Sequence, residues 1–289
     1  IQSARESGRR AQCANNLKQI GLALHQYHED HGSFPPGDYW YPPPGGGSQW
    51  RGSVLIRLLP YLELQVLFDA FDFSVPTDNQ TFSGTSDKIC STIVGIYVCP
   101  SDNNQGLYTD AEVSDRAVSN YAASNGPTEH YDNPGCSCTN NWNTYALLPA
   151  ESYSAPVTNT NVAGPFNRLG VATSASHCTD GLSNTIFFGE VRRDCSRHIK
   201  RGWAWTNNGN GVATTIIPIN FDSCNSDSNA PGCNQPCNYN TEFGFKSLHA
   251  GGAMFLFGDG SVHFLSETID HWTYQYLGGK SDGEIAFIP

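Results

Sequence analysis

The first thirty-one residues constrain the fold more than any other stretch of the chain. Cys13, Leu17, Ile20, Leu24, Tyr27 and His31 recur at steps of four, three, four, three and four, the interval that returns a side chain to one face of an α-helix. The pattern predicts one long helix with a single stripe to bury. Arg5, Glu6, Arg9, Arg10, Asn15, Asn16, Lys18 and Gln26 lie around that stripe, so the opposite face meets water or another chain. Glu6 and Arg10 stand four apart with the acid first, the favourable order for a helical ion pair. Gly32 follows the last periodic residue and Pro35 and Pro36 come soon after, which stops a helix. At about 1.5 Å per residue the helix is roughly 46 Å long, more than a domain of this size needs, and part of it is expected to project. Ile1 opens in mid-pattern, with no N-cap residue and no methionine, so an upstream segment is expected and any membrane anchor is expected there. The chain itself has no run of about eighteen apolar residues, the length that spans a bilayer.

Composition narrows the classes of partner. Sixteen Lys and Arg against 27 Asp and Glu give a net charge of -11, and no basic run follows the helix, which disfavours nucleic acid and anionic lipid. Only 15% of the residues are charged, against roughly 25% in an average soluble protein; with abundant Gly, Asn, Ser, Thr and Tyr this reads as a β-rich exterior protein. Ten cysteines without a CxxC pair suit disulfides in an oxidising compartment better than zinc sites. Cys13, Cys90, Cys99, Cys136, Cys138, Cys178, Cys195, Cys224, Cys233 and Cys237 are therefore all disulfide candidates, the alternative being buried free thiols. Cys90 and Cys99 flank an apolar run, Cys178 and Cys195 flank another, and Cys224, Cys233 and Cys237 share a polar loop, where local bridges would replace missing burial. Spacing leaves the connectivity open.

Several long blocks follow in order: IQSARESGRRAQCANNLKQIGLALHQYHEDHGSFPPG from Ile1, YVCPSD from Tyr97, NYAASNGPT from Asn120, TDGLSNTIFFGE from Thr179, and SLHAGGAMFLFGDGSVHFLSETID from Ser247. The chain resembles the DUF1559 family, pilin-like proteins with prepilin-type N-termini abundant in Planctomycetes. The last block carries that family's C-terminal signature, a His, nine residues, then Asp-Gly: His249, Asp259 and Gly260. The resemblance covers nearly the whole chain, apart from the prepilin cleavage site and the apolar half-helix, which this sequence does not contain. It implies a type IV pilin-like α+β fold, a long N-terminal α-helix packed on an antiparallel β-sheet with large disulfide-braced loops. Residues 1–37 would form the helix and 38–289 a single β-rich domain with an insertion at 127–164.

Taken in order, residues 38–49 form an irregular Pro/Gly-rich connection. Residues 53–71 are apolar at short intervals and predict a second helix, interrupted at Pro60 and packed beside the first. Strands are expected at 89–98, 120–123, 185–191, 203–206 and 214–219. Residues 254–257 and 261–265 predict a hairpin centred on a type I′ Asp259-Gly260 turn, with Val262 and Phe264 facing the core and His263 opposite.

Candidate sites are few. His25, His28 and His31 are spaced for a shared metal, yet His near a helix C-terminus has a structural reason to be there. His249 and Asp259 are residue types of a base and its orienting acid, but no GxSxG or HExxH accompanies them. Asp102, Asn104 and Asp110, with Asn103 and Glu112, make an oxygen-rich loop of the type Ca²⁺ takes, although Gly106 stands one place too early for an EF-hand. Asn79-Gln80-Thr81 matches a glycosylation acceptor. Trp40, Trp50, Trp142, Trp203 and Trp205 could stack on sugars or fill a core.

The expectation is a non-enzymatic subunit without an obligatory cofactor, exported to the cell surface or beyond. It would assemble with copies of itself into a pilus-like filament or pseudopilus, through Ile1, Arg5, Glu6, Arg9, Arg10, Leu17 and Leu24 of the helix. A monomeric surface module that binds glycans or mediates adhesion, and a minor pseudopilin of a secretion apparatus, are the alternatives.

Overall fold

The computed structural model describes residues 2–41, 49–103, 106–109, 114–128, 138, 163–167, 170–205, 211–227, 232–237, 239–284, 286 and 288. Helix α1 runs Gln2–His31, and Cys13, Leu17, Ile20 and Leu24 of the predicted stripe are each at most 1% exposed. Tyr27 is half-buried and His31 exposed, because the helix leaves the core in its last turn. The helix ends as expected: the Gly32 N–H donates to His28 O at 2.8 Å, and Gly32 has a φ of 71°, a conformation glycine adopts without strain.

A short ladder pairs β1 (Asp38–Tyr41) with β2 (Gln49–Ser53), so the predicted irregular connection begins and ends in strand. The apolar segment after it forms α2 (Val54–Leu58), a 3₁₀ turn with Pro60 near its start, and α3 (Gln65–Asp69). Proline interrupts the helix where its missing N–H predicts, and Val54, Leu55, Leu58 and Leu59 join the core under α1.

The central sheet has five strands in the order β7-β5-β6-β8-β9: β5 (Tyr121–Ser124), β6 (Ile186–Glu190), β7 (Val212–Ala213), β8 (Gly252–Phe257) and β9 (Val262–Ser266). A separate pair joins β3 (Leu107–Tyr108) to β4 (Arg116–Ala117). All pairings in the central sheet are antiparallel except β5 with β7. The fold is α+β, and its sheet is covered on both faces. Met254 and Leu256 of β8 point into the core beneath α1, while Ala253, Phe255 and Phe257 point into a second core closed by α5 (His271–Gly278). The unbroken apolar run of β8 follows from that double burial. Asp270 caps α5 by accepting from the Thr273 N–H at 2.8 Å, an N-cap contact worth about 1 kcal/mol.

Four local expectations are corrected. Residues 89–98 form two 3₁₀ turns, Ile89–Ser91 and Gly95–Tyr97, rather than a strand; Ile89, Cys90, Val94 and Tyr97 point into one core, which a twofold alternation cannot achieve. Trp203–Trp205 is a turn, anchored where the Trp203 N–H donates to Ala117 O at 3.1 Å. The expected strand at 214–219 shrinks to β7 just before it and a single bridge at Thr214. In the β8–β9 hairpin neither Gly258 nor Asp259 has a positive φ, whereas Gly260 has 83°. The Gly260 N–H closes the turn onto Phe257 O at 2.9 Å, so the centre is Gly258-Asp259 with a left-handed glycine after it, not a type I′ turn on Asp259-Gly260. The expected strand faces hold: Val262 and Phe264 pack on the first core, and His263 lies edge-on to Phe257 at 5.2 Å.

Among the described residues, three disulfides join Cys13 to Cys99, Cys138 to Cys233 and Cys195 to Cys224, over separations of 86, 95 and 29 residues. Cys237 is also oxidised, and Cys136 lies outside the described residues. Cys90 and Cys178 are buried free thiols, so two disulfide candidates are corrected and the bridges are long-range rather than local. Burial pushes both thiols up, Cys178 to about 11. Among the described residues no helix is long and apolar enough to cross a membrane.

Candidate functional site

The sequence blocks meet where the first half of α1 crosses the sheet. Cys13, on the buried stripe, bonds to Cys99 of the YVCPSD block. Three residues on, the Asn16 side-chain amide donates to Val98 O at 2.9 Å and to the Tyr121 hydroxyl at 3.2 Å, and that hydroxyl donates to Cys13 O at 3.3 Å. Asn120 secures the same loop, its Oδ1 accepting from the Cys99 N–H at 2.9 Å and its Nδ2 donating to Asp102 Oδ2 at 2.7 Å. Asp102 is thus buried and engaged, while Asn104 and Asp110, the other two calcium candidates, lie outside the described residues.

His249 sits at the centre with its side chain 1% exposed. Its Nδ1 lies 2.8 Å from Glu6 Oε1 of α1, and its Nε2 lies 3.1 Å from Glu190 Oε1 at the end of β6. Glu190 Oε2 accepts from the Met254 N–H at 2.8 Å, and Glu6 also accepts from Ser101 Oγ at 3.0 Å and from Arg9 at 2.6 Å. Glu6 therefore pairs with Arg9 and not with Arg10 as the spacing suggested; Arg10 lies over the Phe264 ring at 3.5 Å. Burial alone would lower the His249 pKa, but the hydrogen bonds and negative charges of Glu190 and Glu6 outweigh it and hold it above the ordinary 6.5. Glu6 moves the other way. Burial would raise it, yet the hydrogen bonds from His249, Arg9 and Ser101 bring it below the ordinary 4.5.

The two ends of the His, nine residues, Asp-Gly signature thus have separate tasks. His249 clamps α1 at Glu6, while Gly260 O accepts from Lys18 Nζ at 2.7 Å. Glu6 and Lys18 are twelve steps apart on α1, about 18 Å of helix, and the six residues of β8 cover about 20 Å. The spacing matches a strand laid along the helix and bolted at both ends. Gly21 permits the close approach, since a Cβ there would stand 2.8 Å from Leu256 Cδ1. Asp259 is exposed and accepts from the Ser261 N–H at 2.8 Å, so it orders the turn, and both ring nitrogens of His249 are taken by other carboxylates.

The remaining candidates are placed individually. His28 Nε2 accepts from the Ala175 N–H at 3.2 Å, His31 Nδ1 contacts Tyr27 O at 3.0 Å, and His25 lies edge-on to Phe34 at 5.9 Å; their partners differ. Asn79 is exposed, but its amide donates to Asp78 and its carbonyl accepts from Arg116. Trp203 and Trp205 are buried, at 2% and 7% exposure. For Trp40 and Trp50 only the strand backbone is described, and Trp142 and Ile1 lie outside the described residues. Sequence reasoning missed Glu190 as a site residue, although the glutamate that closes an otherwise apolar strand, FFGE, signals a buried carboxylate in need of a partner.

A helix clamped along one sheet face by histidine, lysine and disulfide defines the class of protein: an α+β domain organised around its N-terminal helix. The family model described as "Protein of unknown function (DUF1559)" matches residues 2–271, and the chain belongs to that family. No curated protein and no solved structure matches it.

Proposed function

We propose that this chain is a non-enzymatic, exported structural subunit with a type IV pilin-like architecture, built to assemble with copies of itself through the outer face of α1. The observation that carries this reading is that face. Arg5, Gly8, Gln12, Asn15, Gln19, Leu22, Gln26 and Glu29 form one continuous exposed stripe at alternating steps of three and four, and Leu22 is 65% exposed. Between Gly8 and Gln26 the stripe carries no charge. Small residues and amides permit a close, hydrogen-bonded helix–helix approach, whereas a face made only for water would be richer in Lys and Glu. Leu17 and Leu24 serve a different purpose from the one expected: they are buried within the subunit, and they position the outer face without entering an interface. Glu6, Arg9 and Arg10 are likewise engaged within the chain, which leaves Arg5, of the charged residues expected at the interface, on the exposed stripe.

Electron microscopy of native material, with mass spectrometry of its N-terminus, tests this. Ordered filaments are expected, lost on Leu22→Asp while the soluble variant unfolds at the parent's temperature. Native material that is only monomeric refutes the assembly reading. A second reading, a ligand-binding surface module, is favoured by one observation. Arg193, Arg197 and Lys200 outnumber the one carboxylate, Asp194 paired to Arg193 at 3.0 Å, in a cavity of about 490 Å³ beside Tyr108, with Arg193 over the Tyr108 ring at 5.0 Å. In a chain of net charge -11 that basic cluster suits an anionic sugar or other carboxylate.

A further inference from the structure

The clamp around His249 contains more donors than a helix anchor requires. Cys13 Sγ, Cys99 Sγ, a Glu190 carboxylate oxygen and a His249 ring nitrogen all lie within 4.8 Å of one another, and all four residues are buried. Three of the separations are 3.1 Å for His249 Nε2 to Glu190 Oε1, 3.5 Å for Cys99 Sγ to Glu190 Oε1, and 3.8 Å for Cys99 Sγ to His249 Nε2. A tetrahedron with metal–ligand bonds of about 2.0 to 2.3 Å has edges of roughly 3.3 to 3.8 Å. Donors from the Cys99 loop, the end of β6 and the His249 loop are therefore spaced close to one face of such a tetrahedron, and Cys13 of α1, bonded to Cys99, stands beside them as the fourth donor once that bond is opened.

The surroundings are those of a metal ligand set. His249 turns Nε2 toward the cluster, and its Nδ1 is held at 2.8 Å by Glu6 Oε1, the outer carboxylate that fixes the orientation of a metal-bound imidazole. Glu190 keeps one oxygen toward the cluster while the other is held by the Met254 N–H.

The geometry points to a second state of this cluster, in which the Cys13–Cys99 bond is reduced and Cys13, Cys99, Glu190 and His249 bind one Zn²⁺. The step balances: a small dithiol supplies two electrons and two protons, becomes a disulfide, and leaves thiols on Cys13 and Cys99. Zn²⁺ then displaces both thiol protons and takes two thiolates, one carboxylate and one neutral imidazole. Thiolate and imidazole donors suit zinc, and four protein ligands leave no open position, so the ion holds α1 to the sheet and does no chemistry. The same four side chains fasten the helix in either redox state, by a covalent bond in one and a metal in the other. This inference rests on the donor set alone and is independent of the assembly reading.

The test uses the full chain, reduced with dithiothreitol and freed of excess reductant, titrated with Co²⁺ as a coloured stand-in for Zn²⁺. The expected result is tetrahedral visible absorption with a thiolate-to-cobalt band in the near ultraviolet, absent from the oxidised chain. His249→Ala should bind one Co²⁺ fewer, Glu6→Gln should bind about 10- to 100-fold more weakly, and Cys195→Ser/Cys224→Ser should keep the site. An unchanged Co²⁺ count and spectrum in His249→Ala overturns the inference. A measurement needing no variant is hydrogen exchange of the reduced chain: one equivalent of Zn²⁺ should slow the amides of residues 11–16 at least tenfold, and no slowing there overturns it equally.

Discussion

Replacing His249 by Ala removes the group that joins Glu6 to Glu190, and the two halves of that loss differ in size. The Glu190 side chain is 2% exposed, so without His249 it is a buried carboxylate that keeps the Met254 N–H as donor and a disulfide sulfur, which has no proton to give, at 3.5 Å; breaking a buried pair from one side costs about 3 to 5 kcal/mol. The Glu6 side chain is 35% exposed and keeps Arg9, and solvent screening reduces its share to about 1 kcal/mol or less. His249→Ala is therefore expected to lose about 3 to 5 kcal/mol of unfolding free energy and Glu6→Gln at most about 1, as read by equilibrium urea unfolding. The pH dependence supplies an internal check. His249 is raised above 6.5 in the folded chain, so its stabilisation is complete below that pH and is lost as pH rises through the folded value. Glu6 is lowered below 4.5, so its stabilisation is present above that pH and is lost as pH falls through the folded value. Both act fully between about 4.5 and 6.5. The difference between parent and His249→Ala should be largest at pH 5.5 and clearly smaller at pH 9.5. Equal differences at both pH values, or a loss under 1 kcal/mol at pH 5.5, refute the clamp.

The other consequences are simpler to measure. Cys13→Ser/Cys99→Ser opens a bridge over 86 residues and should cost about 4 to 5 kcal/mol by loop-closure entropy, read by urea unfolding. Leu17→Ala, at a site with 0% exposure, should cost about 2 to 5 kcal/mol in the same assay, while Leu22→Ala should change stability by less than about 0.5 kcal/mol. Gly189→Ala places a Cβ 2.5 Å from Phe245 Cδ1 and 2.7 Å from Phe255 Cδ1, an overpacking expected to cost about 1 to 3 kcal/mol and to lower the melting temperature. Cys90 and Cys178, buried with raised thiol pKa values, should each resist iodoacetamide in the folded chain and take one label on unfolding, as mass spectrometry would show.

What could be read from the residues follows the range of the forces that place them. The α1 stripe and the β8–β9 hairpin depend on local periodicity and on an Asp-Gly neighbourhood, and both form. The expected strand at 89–98 does not, because a run whose apolar residues must all enter one core cannot alternate, and only the arrival of α1 and Trp203 decides that. The sulfur pairing was beyond reach for the same reason: Cys13 meets Cys99 only once α1 has been laid on the sheet. The site was half visible. His249, Asp259 and Gly260 stood out as a unit, but their spacing invites a catalytic pairing until β8 is seen to run along α1, which sends His249 to Glu6 and Gly260 to Lys18.

The concentration of bolts at the N-terminal half of α1 has a physical cause in its sequence. The buried stripe begins only at Cys13, and of the residues before it none with a described side chain is buried. An isolated helix of that length is marginal in water, and it lacks the burial of about 1.5 to 3 kcal/mol per large apolar side chain that holds Leu17, Ile20 and Leu24. Polar and covalent contacts take over that work: His249 on Glu6, Phe264 under Arg10, and Cys99 on Cys13. All three act on the inward side, and they leave Arg5, Gly8 and Gln12 facing outward on a helix that no longer needs further burial to stay formed. A helix held in this way can offer its outer face to a neighbour without the cost of ordering it first, which is what the assembly proposed above would require.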